Sequence, residues 1–171
     1  MTRSPAVDQT VREVPEVVVR ALRTTSPTDP ISVAIERLLS RPESRMVYVV
    51  ESDARLVGTV SWRNVLKVTK ARFGARSGGM LSLFELFRDL KPERVEDVMR
   101  APTPVTLDTP LREVLVLMDE TQQNDLPVVD EEGRLIGEVN GMHIMRLAFA
   151  VFQQTEADLA RARIEGQPGG R

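Results

Sequence analysis

Two stretches of the sequence place short apolar runs on either side of a polar turn. In residues 126–140 the run Leu126–Val129 is followed by the acidic turn Asp130–Gly133 and by a second apolar run that ends at Val139. Short runs rich in β-branched residues, separated by turn residues, are typical of buried strands in a hairpin. Residues 47–61 repeat this pattern. We therefore predict two buried hairpins, with Gly133 supplying a positive φ in the second turn.

Each predicted hairpin lies between two predicted helices. Apolar residues recur at helical spacing over 31–39 and over 111–118. Asp29 and Thr109 are the predicted N-caps, each followed by a proline at the first helical position. Ser61 is the predicted cap of the helix that follows the first hairpin.

The two halves of the chain are similar to each other, at an offset of roughly 80 residues. Residues 95–98 correspond to 11–14, and 134–139 correspond to 55–60. A long fixed period indicates duplicated units, each poorly able to bury its apolar face alone. The predicted fold is α/β (α+β), with two units that each run strand, helix, strand, strand, helix.

This ordered pattern, present twice, resembles a tandem pair of CBS domains, also called a Bateman module. The resemblance is carried by Arg55–Asn64 in the first unit and by Val95–Met99, Thr109–Leu111, Leu126–Asp130 and Gly133–Gly137 in the second. It implies two β-α-β-β-α units in a pseudo-two-fold arrangement. The expected divisions are a flexible N-terminus (1–10), CBS unit 1 (11–72), a linker with an amphipathic helix (73–92), CBS unit 2 (93–150), and a C-terminal helix extension with a disordered tail (151–171).

Composition excludes several classes of protein. The chain has 171 residues, 42% of them hydrophobic, with a net charge of −2 and no cysteine. This charge argues against a broad nucleic-acid surface, and the lack of cysteine excludes disulfides and thiolate metal sites. No apolar run approaches the roughly 20 residues of a membrane span. We expect a cytoplasmic protein that does not insert into a membrane.

No catalytic constellation is visible in the sequence. His143 is the only histidine, so any scheme with a histidine base must use it. The carboxylates are not spaced as a metal cluster, and no Walker-type phosphate loop is present. We therefore expect neither an enzyme nor a metal site.

The resemblance instead implies a binding cleft between the two units. CBS pairs hold adenosine compounds such as AMP, ADP, ATP or S-adenosylmethionine there, as regulatory ligands rather than as resident cofactors. The family pattern is Gly, two apolar residues, Ser or Thr, two variable residues, then Asp. In the first unit Ser61 and the helix start after it would face the phosphate, and Arg63 would add positive charge. Asn64 replaces the family's Asp, and its amide oxygen can accept from a ribose hydroxyl.

In the family the base is held by the opposite unit. For this first site the resemblance implies a lining of Thr109, Val114, Asn124, Asp125 and Leu126. In the second site Asn140 and His143 replace the hydroxyl residue and the Asp. Its implied lining is Asp29, Ala34, Arg45, Met46 and Val47, and Asp29 would repel a phosphate. We predict one competent site and one degenerate site; the alternative is that Ser61, Asp29 and Thr109 are only helix caps.

All five phenylalanines lie outside the predicted strands, at positions 73, 84, 87, 149 and 152. They fall at the end of the first unit, in the predicted linker helix and in the predicted terminal helix. Either these helices pack on each other within the chain, or they form a dimer interface, where aromatic residues are enriched. We expect a homodimer, with an effector protein as a further partner. Two functions remain open: a ligand-binding regulatory module, or a ligand-independent interaction module with degenerate clefts.

Overall fold

The computed structural model describes residues 8–40, 45–73 and 93–165, which contain six strands and five α-helices. The strands are β1 (Val18–Val19), β2 (Thr24–Thr25), β3 (Met46–Val50), β4 (Leu56–Ser61), β5 (Asp125–Val129) and β6 (Leu135–Asn140). The α-helices are α1 (Ile31–Leu39), α2 (Trp62–Phe73), α3 (Val95–Val98), α4 (Leu111–Thr121) and α5 (Gly141–Glu165). Two short 3-10 helices, Val11–Glu13 and Pro15–Val17, precede β1.

Both predicted hairpins are confirmed. Strands β3 and β4 pair antiparallel, with Met46 opposite Ser61, and β5 and β6 pair antiparallel, with Asp125 opposite Asn140. All of β5 is buried, as the apolar run predicted. Each hairpin belongs to a three-stranded sheet, with strand orders β2-β3-β4 and β1-β6-β5.

The first segment of each half packs against the other half. Val11, Val14 and Val17 lie in one hydrophobic core with Val114 and Leu126, although the sequence separates them by about a hundred residues. In the same way, Val95 and Val98 of α3 join the core formed by α1, β3 and β4. Strand β1, from the first half, also pairs antiparallel with β6 of the second half. The two units therefore exchange their first segments.

Equivalent backbone hydrogen bonds hold the two exchanged segments. The N–H of Val11 donates to the carbonyl of Thr109 over 3.0 Å, and the N–H of Val95 donates to the carbonyl of Asp29 over 2.9 Å. These four positions correspond in the sequence repeat. The matching bonds show the pseudo-two-fold relation at the level of single atoms.

Two glycines allow the exchanged segments to lie directly on the hairpins. A Cβ built on Gly137 would lie 2.7 Å from Cγ1 of Val18 in β1. A Cβ built on Gly58 would lie 2.5 Å from Sδ of Met99, just after α3. Gly58 in β4 and Gly137 in β6 are thus required by the close packing between the two halves.

Two predicted helix caps are wrong by one residue. Helices α1 and α4 begin at Ile31 and Leu111, and the capping positions are Pro30 and Pro110, which make no side-chain cap bond. The preceding side chains close turns instead. Asp29 accepts hydrogen bonds from the Thr25 hydroxyl and the Ser26 N–H, and Thr109 Oγ1 accepts from the Thr106 N–H.

Two of the three remaining predicted helices lie within the described residues. Helix α1 ends at Leu39, where the helical spacing over 31–39 ends. The predicted linker helix, with Phe84 and Phe87, lies outside the described residues. The predicted terminal helix is present as α5.

Candidate functional site

Ser61 and Asn64 form a compact polar turn where β4 passes into α2. Ser61 is the last residue of β4 and directly precedes Trp62, the first residue of α2. The Ser61 N–H donates to Oδ1 of Asn64 over 3.0 Å, the Ser61 hydroxyl donates to the same oxygen, and the Asn64 N–H points to Ser61 Oγ at 3.4 Å. This is the reciprocal bonding of a capping box, with Asn64 at the third helical position. The prediction that Ser61 caps this helix is confirmed.

The capping box changes the chemistry expected of Asn64. Its amide oxygen, which the sequence assigned to a ribose hydroxyl, already accepts two hydrogen bonds from Ser61. The Nδ2 group takes no part in these bonds and is a donor. In this arrangement Asn64 offers a donor at the turn, whereas the Asp of the family pattern would offer an acceptor.

The predicted lining of the first site divides into polar residues near the surface and apolar residues in the core. Val114 and Leu126 have no exposed surface and belong to the core of the second unit. Thr109 is half-buried, and both its hydroxyl and its carbonyl are already engaged in the turn and in the exchange. Asn124 is exposed and its carbonyl accepts from the Gly141 N–H over 2.8 Å, while Arg63 is exposed on α2.

Asp125 joins residues that the sequence had assigned to different sites. Its Oδ1 accepts a 2.8 Å hydrogen bond from Nδ2 of Asn140, and its Oδ2 lies 3.5 Å from the N–H of Arg45. Asp125 is buried, and burial raises the pKa of its carboxyl, against the opposing effect of the Arg45 N–H. Asp125 therefore links the starts of β3 and β5, and its position is fixed by residues of the second site.

In the second site the side chain of Asn140 is occupied by the fold. Asn140 Oδ1 accepts from the N–H groups of Met142 and His143, over 2.9 and 3.2 Å, so it caps α5 and occupies backbone donors that an anion would use. Nδ1 of His143 is buried and has no hydrogen-bond partner within the described part of the chain. On the opposite side Ala34, Met46 and Val47 are core residues.

Asp29, which the resemblance assigned to the second site, is a carboxylate held by its own turn. The Ser26 N–H and the Thr25 hydroxyl both donate to its carboxylate, and they lower the pKa of Asp29 below its ordinary value. The group is therefore ionised at neutral pH. An ionised carboxylate disfavours a phosphate beside it, so the expectation for Asp29 stays a prediction.

A buried pair of residues joins the two hairpins, and the sequence pattern did not predict it. The hydroxyl of Tyr48 in β3 donates to Oε2 of Glu138 in β6 over 2.5 Å, and both side chains are buried. Burial and the adjacent carboxylate raise the pKa of Tyr48 well above its usual value, so the phenol keeps its proton. The available signal was Glu138 itself, a lone acid within an apolar run, which needs a partner when buried.

Residues 8–40, 45–73 and 93–165 lack a metal-binding cluster and a membrane-spanning helix. They contain no group of three or more histidine and carboxylate side chains that would hold a metal ion. None of the helices in this part of the chain has the length and apolar character needed to cross a bilayer.

The fold and the repeated turn match a known family. The model of the CBS domain family matches residues 11–70 and again residues 95–149. The chain belongs to the CBS domain family and contains two copies of the domain.

Known proteins similar to this chain contain the same pair. A CBS domain-containing protein from Thermotoga maritima is 31% identical, with a TM-score of 0.65 over 81% of this chain and 92% of that one. CBSX2, a CBS-pair protein from Arabidopsis thaliana, was solved in complex with AMP; it is 26% identical, with a TM-score of 0.62 over 83% of this chain and 97% of that one.

An enzyme also contains a similar stretch. Inosine-5'-monophosphate dehydrogenase of Methanocaldococcus jannaschii is 28% identical over 139 residues, which are 81% of this chain. The chain spans only 24% of that enzyme's length. The similarity therefore does not extend dehydrogenase activity to this protein.

Proposed function

We propose that this protein is a cytoplasmic regulatory module that binds an adenosine-containing ligand at the turn formed by Ser61 and Asn64. The observation that supports this most directly is the difference between the two equivalent turns. At α5 the cap Asn140 occupies the N–H groups of Met142 and His143, whereas at α2 the cap Ser61 has one long contact, to the Asn64 N–H. The first turn of α2 therefore keeps backbone donors for an anion.

The polar groups around α2 suit a nucleotide with at least one phosphate. The start of α2 favours negative charge through its unpaired N–H groups and helix dipole. Arg63 lies in the same turn and is exposed, so it is able to reach a phosphate. The AMP complex of CBSX2 supports an adenine nucleotide for this cleft. Binding that differs between two arrangements of the units would then be transmitted to a partner protein.

Calorimetric titration with adenosine, AMP, ADP, ATP and S-adenosylmethionine tests the proposal. We expect heat and thermal stabilisation with at least one of the phosphate-bearing ligands, and weaker binding of adenosine. The absence of heat and of thermal stabilisation with all five compounds would contradict the proposal. The alternative function, a ligand-independent interaction module, would then be favoured.

Variants then locate the site. Asn64→Ala removes one hydrogen-bonding side chain and is expected to weaken binding about fivefold, because such a bond contributes on the order of 1 kcal/mol. Ser61→Thr keeps the hydroxyl and should bind as the wild type does. The matched change His143→Ala, at the equivalent position of the second unit, should leave affinity unchanged. The reverse ranking of Asn64→Ala and His143→Ala would place the ligand in the other cleft.

A further inference from the structure

The side-chain amide of Gln123 has a buried oxygen that accepts no hydrogen bond. Within the described part of the chain, two buried side-chain atoms have no hydrogen-bond partner, Oε1 of Gln123 and Nδ1 of His143. Nearly all buried polar groups in folded proteins are paired, and an unpaired acceptor costs free energy. A ligand with a suitably placed donor would remove that cost at position 123.

The backbone on both sides of Gln123 is fixed by hydrogen bonds. Gln122 adopts a left-handed conformation, with a φ of 55°, and ends α4. The N–H of Gln123 then donates to the carbonyl of Met118 over 3.0 Å, which is the bonding of a Schellman motif. On the other side, the carbonyl of Asn124 accepts from the N–H of Gly141 over 2.8 Å. A side chain on such a fixed backbone is positioned before a ligand arrives.

Residues 123–125 approach the end of the first hairpin that carries Ser61. Oδ2 of Asp125 lies 3.5 Å from the N–H of Arg45. Arg45 directly precedes Met46, and Met46 lies opposite Ser61 in the pairing of β3 with β4. Paired strands lie about 4.8 Å apart, so only a short span separates Asp125 from the turn at Ser61. This segment of the second unit therefore lies near the proposed ligand site.

We propose that Gln123 selects the base of the ligand. Its Oε1 accepts a hydrogen bond from the exocyclic amino group of adenine, and its Nε2 donates to the adjacent ring nitrogen. An amide presents an acceptor and a donor side by side, and adenine presents the complementary pair, so Gln is able to make two hydrogen bonds to this base. The inference rests on the proposed function, because it concerns the other end of the ligand whose phosphate lies at α2.

Calorimetric titration with matched nucleotides tests this role. The adenine nucleotide that binds most tightly, AMP, ADP or ATP, is compared with the purine riboside phosphate of the same length, which has a hydrogen atom in place of the amino group. The wild type should bind the adenine nucleotide about fivefold more tightly, the contribution of one hydrogen bond. Equal affinities would overturn the inference and leave the proposed function intact. Failure of every adenine nucleotide to bind would overturn both.

The variant Gln123→Met completes the comparison. Methionine is unbranched and similar in length to glutamine, but it has only a weak acceptor. The variant should bind the adenine nucleotide about fivefold more weakly than the wild type, and it should bind the two matched nucleotides equally. The control is Gln154→Met, because Gln154 is exposed on α5 and donates to Asp158 of the same helix over 3.0 Å. It should keep the wild-type preference. A Gln123→Met variant that still prefers adenine would show that another residue reads the amino group.

Urea denaturation without any ligand gives an independent readout. Gln123→Met should be at least as stable as the wild type, because it removes a buried acceptor that has no partner and nearly conserves volume. A marked loss of stability would show that the amide supports the fold, and it would overturn the inference. Because this measurement needs no ligand, it separates a failure of the inference from a failure of the proposed function.

Discussion

At the scale of single residues, the fit between the two halves depends on small side chains at two equivalent positions. Gly137 lies under Val18, and Gly58 lies under Met99. Interiors are packed closely enough that one added methyl group forces its neighbours to move. The response to that methyl group depends on the stiffness of the neighbour, and the two neighbours differ in this respect.

We predict that Gly137→Ala lowers the free energy of unfolding by about 1–3 kcal/mol, the usual cost of overpacking. Gly58→Ala should cost less, because the thioether of Met99 is flexible, whereas the β-branched side chain of Val18 is stiff at χ1. Urea denaturation of the wild type and both variants gives the comparison. An equal or larger loss for Gly58→Ala would show that Met99 has no room to move.

Single-residue roles were only partly predictable from the sequence. Ser61 was placed correctly, because a hydroxyl residue between a strand and a helix has little alternative to capping. Asp29 and Thr109 were misplaced by one position, because their side chains bond to the turn behind them rather than to the helix ahead. The sequence identified Asn64 as a site residue, but it did not show that the amide oxygen of Asn64 is already occupied. That oxygen accepts from Ser61, and this contact is visible only in the structure.

At the scale of elements, the hairpins and long helices were predictable, and the exchange of segments was not. Apolar runs and helical spacing identified β3 to β6, α1, α4 and α5, since each is long enough to show a period. The exchanged segments consist of three-residue 3-10 helices, the two-residue strand β1 and the four-residue α3. Elements of that length have no periodicity, so no sequence pattern indicated which half they join.

The hydrogen bond from Tyr48 to Glu138 joins β3 of one sheet to β6 of the other. Tyr48→Phe removes the buried donor, and we expect a loss of about 1 kcal/mol in the free energy of unfolding, the usual net contribution of a hydrogen bond. Glu138→Gln keeps an acceptor oxygen and should cost less. Urea denaturation at neutral pH measures both. A Tyr48→Phe variant as stable as the wild type would mean that this bond contributes nothing to joining the sheets.

At the scale of the whole molecule, each hydrophobic core contains residues from both halves of the chain. Val11 supports the core that includes Leu126, and Val95 supports the core that includes Ile31. Neither half has a complete core without the other. The two units should therefore unfold together, although the sequence divides them into separate repeats.

A substitution in an exchanged segment tests this coupling. Val11→Ala, at a fully buried position, should lower the free energy of unfolding by about 2 kcal/mol, from lost apolar burial and the cavity that remains. Trp62 is the only tryptophan and lies in α2 of the first unit, whereas Val11 packs in the second. We expect urea midpoints from Trp62 fluorescence and from circular dichroism to shift by the same amount. A two-step transition with an unmoved fluorescence midpoint would contradict the coupling.

The contacts at Gly58 and Gly137 also limit which substitutions the sequence tolerates during evolution. Position 18 in the first half must suit position 137 in the second, and position 99 in the second half must suit position 58 in the first. A substitution accepted in one copy of the duplication alters which substitutions the other copy tolerates. Substitutions in the two copies should therefore be correlated. Homologous chains should show paired changes at 18 with 137 and at 99 with 58.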